Sequence, residues 1–149
     1  TLWSCQVLFI GAFYRSVKTG ELKEATKKYL ESKGIEYIDF GCNGESVNYP
    51  EYAHKLCVSI QDGTCYRGIL FCGTGIGISI AANKHKGIRA GLCCDPESAS
   101  LTRQHNNANV LCMGARILSF EKTVEITDAF LGAEFLGGRH QRRVDMLEI

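Results

Sequence analysis

The chain has 149 residues, a formal net charge of +1 and 45% hydrophobic residues. This length and composition predict a single domain over residues 1–149 with a sizeable buried core. A net charge near zero excludes a general nucleic-acid or membrane-surface binder. The apolar runs are also too short for a transmembrane helix, which needs about 18 residues.

The first predicted elements are a strand, a helix, a second strand and a second helix. The apolar run CQVLFIGA at 5–12 is typical of a strand covered on both faces, and it lacks the basic leader of a signal peptide. Residues 20–33 carry apolar side chains at helical spacing, and Gly34 is well placed to end that helix. IEYIDF at 35–40 predicts the second strand, and a helix with a first-turn proline follows over 49–60.

The middle of the chain repeats this alternation. RGILFC at 67–72 predicts the third strand, and GIGISIAANK at 75–84 predicts the third helix. GIRAGLC at 87–93 predicts the fourth strand. An Asp-Pro pair, which combines an N-cap residue with a first-turn proline, opens a fourth helix over 95–106.

The last third adds a fifth strand, NVLCMG at 109–114, a helix over 119–132 and a final helix over about 139–149. Strands and helices that alternate at this spacing predict a three-layer α/β fold with five strands in a mostly parallel sheet. Ligands bind such folds at the carboxyl ends of the strands. We therefore expect a site after the first, third, fourth or fifth strand.

None of the eight cysteines forms a C-x-x-C pair, so neither a zinc ribbon nor a thioredoxin-like site is indicated. A disulfide framework would suit a shorter, loop-rich secreted chain better. We predict reduced thiols in a cytoplasmic protein. Those in apolar stretches, where a free thiol packs as a small hydrophobe, are Cys5, Cys57, Cys72, Cys93 and Cys112.

The stretch FCGTGIGIS places Cys72 at the end of the third strand, directly before Gly73, Gly75 and Gly77. Glycines let backbone N–H groups face a ligand, and the N–H groups and dipole of the next helix point to the same place. Such a turn suits a phosphate or an enolate oxygen and favours a thiolate. It fits neither the Walker nor the G-x-G-x-x-G pattern. Taken alone, the stretch is equally consistent with a structural turn and a core cysteine.

Two further stretches carry candidate polar residues. RQHNNANVLC places His105 and Asn106 in a predicted loop before the fifth strand. GGRHQRRV offers His140 between Arg139 and Arg143, and these two arginines share a helix face that suits a phosphate. A satisfied structural histidine and a solvated basic face are the alternative interpretations.

Together these stretches resemble the ribose-5-phosphate isomerase B family, which also includes the galactose-6-phosphate isomerase subunits. The matching pieces are NYPEYA, GILFCGTGIGISIAANKHKGIRA, TRQHNNANVLCMGAR and GGRHQRRV, between about Asn48 and Val144. The resemblance implies a Rossmann-like homodimer or tetramer with active sites shared between subunits, and no metal or organic cofactor. We expect the final helix to pack on a partner subunit.

The resemblance implies an aldose–ketose isomerase of the pentose phosphate pathway. It would interconvert ribose 5-phosphate and ribulose 5-phosphate through an enediolate, with Cys72 as the base. Thr74 and His105 are associated with opening of the sugar ring in that family. The implied substrate-binding positions are Tyr49, Gly73, Gly75, Gly77, Ser79, Asn106, Arg116, Arg139, His140 and Arg143.

The sequence departs from the family pattern after the first strand. The family carries an Asp-His pair there, but GAFYRSVKTGELK has neither residue between Gly11 and Gly20. Arg15 or Lys18 could replace the phosphate contact, and nothing replaces the aspartate. An N-terminal segment that differs from the natural protein would explain the same departure.

Three other interpretations stay open at this point. The first is an isomerase of a six-carbon aldose 6-phosphate, with the loop at Phe13, Tyr14 and Arg15 shaping the choice of substrate. The second is a catalytically weak sugar-phosphate binding protein, or a subunit that needs a different partner. The third is redox sensing by Cys72, which the lack of a nearby resolving cysteine disfavours.

Overall fold

The computed structural model describes residues 8–12, 17–41 and 48–149. The predictions for Cys5 and for the loop at Phe13, Tyr14 and Arg15 lie outside these residues. The strands are β1 (Leu8–Ala12), β2 (Tyr37–Ile38), β3 (Arg67–Cys72), β4 (Ala90–Leu92) and β5 (Val110–Gly114). The helices are α1 (Val17–Ser32), α2 (Tyr49–Gln61), α3 (Ile76–Ala82), α4 (Pro96–Asn106), α5 (Phe120–Gly132) and α6 (Arg139–Asp145).

The strands form a parallel sheet in the order β2-β1-β3-β5-β4. Three strands, β1, β3 and β5, have five or six residues each and form its body. The edge strands β2 and β4 have only two and three residues and are shorter than predicted. A strand at the edge of a sheet pairs with one neighbour only, so fewer residues are paired than the apolar run in the sequence predicts. The predicted Rossmann-like α/β class with a parallel sheet is confirmed.

Alternate side chains of β3 enter two different cores, as the period of a strand requires. Ile69 and Phe71 pack with apolar residues of α1, α4 and α5. Leu70 and Cys72 pack on the other face of the sheet, with residues of α2 and α3. The Cys72 side chain therefore lies on the α2–α3 side, at the carboxyl edge of the sheet.

The carboxyl-terminal elements differ from the prediction in two places. His105 lies in the last turn of α4, inside the helix predicted over 95–106 and not in the loop expected before the fifth strand; the helix runs to Asn106 and is capped by Asn107, which has a left-handed φ of 48°. α6 ends at Asp145 and not at 149, because the next two N–H groups turn back to carbonyls three residues earlier and close a tight turn. α6 contacts α4 of its own chain. Its packing on a partner subunit stays a prediction.

Within the described ranges, no helix combines the length and the apolar character needed to cross a membrane. The cysteines described there are free thiols, and all except Cys94 are buried. Burial raises the pKa of Cys57 to about 12 and the pKa of Cys93 to about 11. These thiols therefore stay protonated near neutral pH and act as packing groups.

Candidate functional site

Cys72 ends β3 with its thiol held by the glycine turn. Its side chain is buried, and the Gly75 N–H donates a hydrogen bond to Cys72 Sγ over 3.1 Å. Gly75 has a φ of +79° and leads the chain directly into α3. The positive end of this N–H dipole therefore faces the Cys72 sulfur at the start of α3.

The turn packs too closely for a side chain at Gly75. A Cβ built there would lie 2.6 Å from Leu92 Cδ1 and 2.9 Å from the carbonyl carbon of Met113. The left-handed φ alone disfavours any residue with a Cβ. The glycine is therefore required both by its conformation and by its neighbours on β4 and β5.

Two predicted substrate residues flank this turn. A Cβ on Gly77 would lie 2.6 Å from Tyr49 Oη, so the tyrosine hydroxyl lies against the first turn of α3. A Cβ on Gly73 would lie 3.4 Å from Arg116 Nε, and the Arg116 N–H donates to the Gly73 carbonyl over 2.9 Å. The exposed Arg116 guanidinium places a positive charge beside Cys72.

Thr74 and Ser79, the hydroxyl residues of the turn, are placed differently. Thr74 is exposed, and its Oγ1 accepts from the Ile76 N–H over 3.2 Å. Ser79 is buried; its hydroxyl donates to the Ile76 carbonyl and its N–H donates to the Gly75 carbonyl. The Ser79 bonds lie within the first turn of α3, so its hydroxyl is used by the helix. Thr74 precedes the helix and faces solvent near Cys72.

The remaining predicted residues form a second group, the amino-edge cluster: His105, Asn106, Arg139, His140 and Arg143. The rings of His105 and His140 are stacked, with centroids 4.3 Å apart and planes at 10°. Burial, followed by the nearby charges of His105, Arg139 and Arg143, lowers the pKa of His140. Arg139 and Arg143 are both exposed. The cluster therefore places two exposed guanidinium groups beside a stacked pair of imidazole rings.

The amino-edge cluster and Cys72 lie at opposite edges of the sheet. Cys72 pairs in register with Gly114, the last residue of β5, whereas His105 and Asn106 of the cluster end α4, which leads into Val110, the first residue of β5. α4 has 11 residues and spans about 16 Å between the two edges. One chain therefore brings Tyr49 and Arg116 to Cys72 but leaves His105 far from it.

A cavity of about 390 Å³ lies beside the amino-edge cluster. Asn106 lines it, together with Thr102, Arg89 and Glu148. The sequence analysis missed Arg89 and Glu148, because neither lies in a motif. They come together through a contact between distant segments, in which the Gly87 N–H donates to Glu148, 61 residues further along the chain.

Asn109 has a structural role, and Lys18 lies apart from it on α1. Asn109, in the same stretch as Asn106, accepts from the Arg89 N–H and donates to the Gly87 carbonyl, both over 2.8 Å. Lys18, one of the predicted substitutes for the missing Asp-His pair, is exposed on α1. Its contact with a phosphate stays a prediction.

Across the described part of the chain, no three His, Cys, Asp or Glu side chains converge as metal ligands.

A polarised thiol at the carboxyl edge of a parallel sheet, beside a glycine turn and an arginine, defines an α/β site for a small anionic molecule. The sequence model of the Ribose/Galactose Isomerase family matches residues 16–147. This match begins well before Asn48, where the resemblance of the motifs starts.

Named relatives and a solved structure agree with this match. Ribose-5-phosphate isomerase B of Escherichia coli (strain K12) is 48% identical over 127 residues, 85% of this chain and 85% of that protein. D-erythrulose-4-phosphate isomerase of Pectobacterium atrosepticum is 44% identical over 129 residues, again 85% of each. The structure of ribose-5-phosphate isomerase B from Mycoplasma genitalium with bound ribulose-5-phosphate has a TM-score of 0.87 and 38% identity, and the alignment covers 94% of this chain and 92% of that one.

The chain belongs to the ribose/galactose isomerase family, and the resemblance to ribose-5-phosphate isomerase B is confirmed. It is an enzyme, an isomerase of this family.

Proposed function

We propose that this chain interconverts ribose 5-phosphate and ribulose 5-phosphate, with Cys72 as the base. The observation that carries the proposal is the 3.1 Å hydrogen bond from the Gly75 N–H to Cys72 Sγ. It fixes the sulfur that would abstract the proton at the edge of the sheet where ligands bind. The names of the relatives support the substrate.

The proposed step moves one proton between neighbouring carbons. The Cys72 thiolate removes the proton from C2 of the open-chain aldose, and the C–H electron pair forms the C1–C2 double bond of an enediolate. The charge that develops on the C1 oxygen is stabilised by backbone N–H groups of the turn from Gly73 to Gly77 and by Arg116. Transfer of the O2 proton to O1 moves the negative charge to O2. As the C2=O bond forms, the Cys72 thiol returns its proton to C1, which gives the ketose and regenerates the thiolate. Thr74 and His105 are assigned to ring opening.

The proposal requires a second copy of the chain, because the amino-edge cluster lies at the opposite edge from Cys72. The turn is bordered by apolar side chains that a single chain leaves exposed. Ile76 and Ile80 of α3 are 49% and 55% exposed, and Leu92 of the edge strand β4 is 38% exposed. These residues form a patch suited to an interface between two copies. In such a dimer, Cys72 of one copy meets the arginines of the other, which bind the phosphate.

Two alternatives have specific support. The family is named for ribose and galactose isomerases, so a six-carbon aldose 6-phosphate is the second candidate substrate. One relative is named for a four-carbon sugar phosphate, so the named substrates differ among the relatives. The missing Asp-His pair favours a catalytically weak sugar-phosphate binding protein. Binding alone does not require a polarised thiol, so the geometry at Cys72 favours catalysis.

The test is formation of ribulose 5-phosphate from ribose 5-phosphate by the purified protein and its variants. Cys72→Ala is expected to reduce kcat by about 10²–10⁴-fold, the usual contribution of a general base, and to leave the fold intact. Cys57→Ala is the matched control, since it removes a buried thiol from α2 that the mechanism does not use.

The outcomes separate the candidates. Near-normal turnover by Cys72→Ala contradicts its role as the base. A wild-type protein that converts only six-carbon sugar phosphates supports the second substrate. Binding of ribose 5-phosphate without conversion of any aldose phosphate supports the binding protein.

A further inference from the structure

The helix that carries Arg139 and Arg143 is too short to hold its own position. α6 has seven residues, and helices of fewer than about 12 residues are marginal on their own. Its placement therefore depends on contacts with the rest of the chain. At its amino end, the buried His140 stacks on His105, and Leu136 just before it donates its N–H to the Gln104 carbonyl over 3.0 Å.

The carboxyl end of α6 is held by a different segment. After the tight turn that ends the helix, Glu148 reaches the loop before β4. Its Oε2 accepts from the Gly87 N–H over 3.2 Å, and its Oε1 lies 3.8 Å from Arg89 Nη1. Glu148 therefore links the end of α6 to the start of β4 by a hydrogen bond and an ion pair.

The segment that receives Glu148 is already fixed by other bonds. Arg89 Nε donates to the Asn107 carbonyl over 2.9 Å, and the Arg89 backbone N–H donates to Asn109 Oδ1 over 2.8 Å. The Gly87 carbonyl accepts from Asn109 Nδ2. The partners of the carboxylate are therefore in place before it binds, which lowers the entropic cost of the contact.

We propose that Glu148 is a positioning residue for the phosphate site, which fixes α6 so that Arg139 and Arg143 face the substrate phosphate. The inference rests on the proposed function, because it assigns the phosphate to these arginines. Glu148 itself does not touch the substrate. Its loss leaves Cys72 and the glycine turn unchanged, since these lie at the other edge of the sheet.

The expected signature is a change in KM without a change in kcat. Glu148→Ala is expected to raise KM for ribose 5-phosphate about 5-fold, the scale of one exposed ion pair with a hydrogen bond. Glu148→Gln keeps an oxygen for the Gly87 N–H and is expected to show a smaller rise. Glu125→Ala is the matched control, because it breaks the exposed pair with Lys122 on α5, far from α6.

A second readout, the dissociation constant for inorganic phosphate measured by calorimetry, does not depend on turnover. It is expected to rise about 5-fold in Glu148→Ala, in parallel with KM, and to stay unchanged in Glu125→Ala. A phosphate constant that is the same in Glu148→Ala and wild type overturns the inference, as does a fall in kcat at constant KM. A wild-type protein that fails to isomerise ribose 5-phosphate, but whose phosphate affinity depends on Glu148, contradicts the proposed function and supports the inference.

Discussion

The chemistry proposed for Cys72 depends on one backbone N–H pointing at one sulfur. The N–H reaches Cys72 Sγ because Gly75 adopts a φ of +79°, which turns the chain back over the end of β3. The close contacts with Leu92 and Met113 leave no room for a side chain at this position. At the scale of single residues, Gly75 therefore holds the sulfur of the proposed base in place.

Replacement of Gly75 tests this dependence. Gly75→Ala introduces a Cβ at a left-handed φ and 2.6 Å from Leu92 Cδ1. We expect it to lower the free energy of unfolding by about 1–3 kcal/mol and to reduce kcat at least about 10-fold, as the N–H turns away from the sulfur. Chemical denaturation and steady-state kinetics measure the two effects.

Gly132→Ala is the control for this replacement. Gly132 ends α5, has no positive φ and has open space where a Cβ would lie. The substitution is expected to be neutral or to stabilise the protein by up to about 1 kcal/mol, with unchanged activity. Full activity in Gly75→Ala would show that the N–H to sulfur bond is dispensable.

At the scale of elements, α4 and α6 meet through two imidazole rings. The rings of His105 and His140 stack at 4.3 Å, and Arg139 and Arg143 are close to the same site. A proton on His140 would add charge to a buried, already positive group. Burial and these neighbours therefore lower the pKa of His140.

This shift predicts that α6 loosens in mild acid. Because the pKa of His140 is lower in the folded protein than in the unfolded chain, its contribution to stability is complete above the ordinary histidine pKa, about 6.5, and is lost as the pH falls below it. Amide hydrogen exchange of residues 139–145 is expected to be faster at pH 5.5 than at pH 7.5, after correction for intrinsic rates.

Variants identify the group responsible. His140→Asn is expected to make exchange in α6 nearly independent of pH over this range. His85→Asn is the comparison, because the pKa of His85 is also lowered, by burial and by His54, but this pair links α2 to the loop after α3. Equal protection of α6 at both pH values in the wild-type protein would contradict the prediction.

At the scale of the whole molecule, the direction of each helix separates the two halves of the proposed site. Helices that follow β-strands in a parallel sheet begin at the carboxyl edge and end at the amino edge. The glycine turn after Cys72 begins α3, and His105 of the amino-edge cluster lies at the end of α4. Under the proposed mechanism, a complete site therefore needs two copies placed so that opposite edges meet.

Mixed dimers test this arrangement. A Cys72→Ala chain and a chain with Arg139→Ala and Arg143→Ala are each expected to be poorly active alone. Co-expression and purification of the heterodimer through two tags should restore about half of the wild-type kcat/KM per dimer, because one of its two sites then has all intact residues. A heterodimer as inactive as its parents would indicate that each site is built from a single chain.

Much of this structure was predictable because its causes are local. The period of apolar residues predicted β3 at its observed bounds, and the Asp-Pro pair predicted the start of α4, where Asp95 accepts from the Ser98 N–H. Cys72 and its glycine turn were found for the same reason, since a strand end, a thiol and glycines are adjacent in the chain. The edge strands were overestimated, because their length depends on a neighbour that the local sequence does not contain.

The sequence by itself determined the order of strands and helices, the family, and the residue types of the site. Only the tertiary structure decided that Cys72 and the amino-edge cluster lie at opposite edges, that Ser79 bonds within α3, and that Glu148 contacts Gly87 and Arg89. The physical reason is that edge, burial and partner depend on how distant segments pack. The contact between Gly87 and Glu148, 61 residues apart, exists only once the chain has folded.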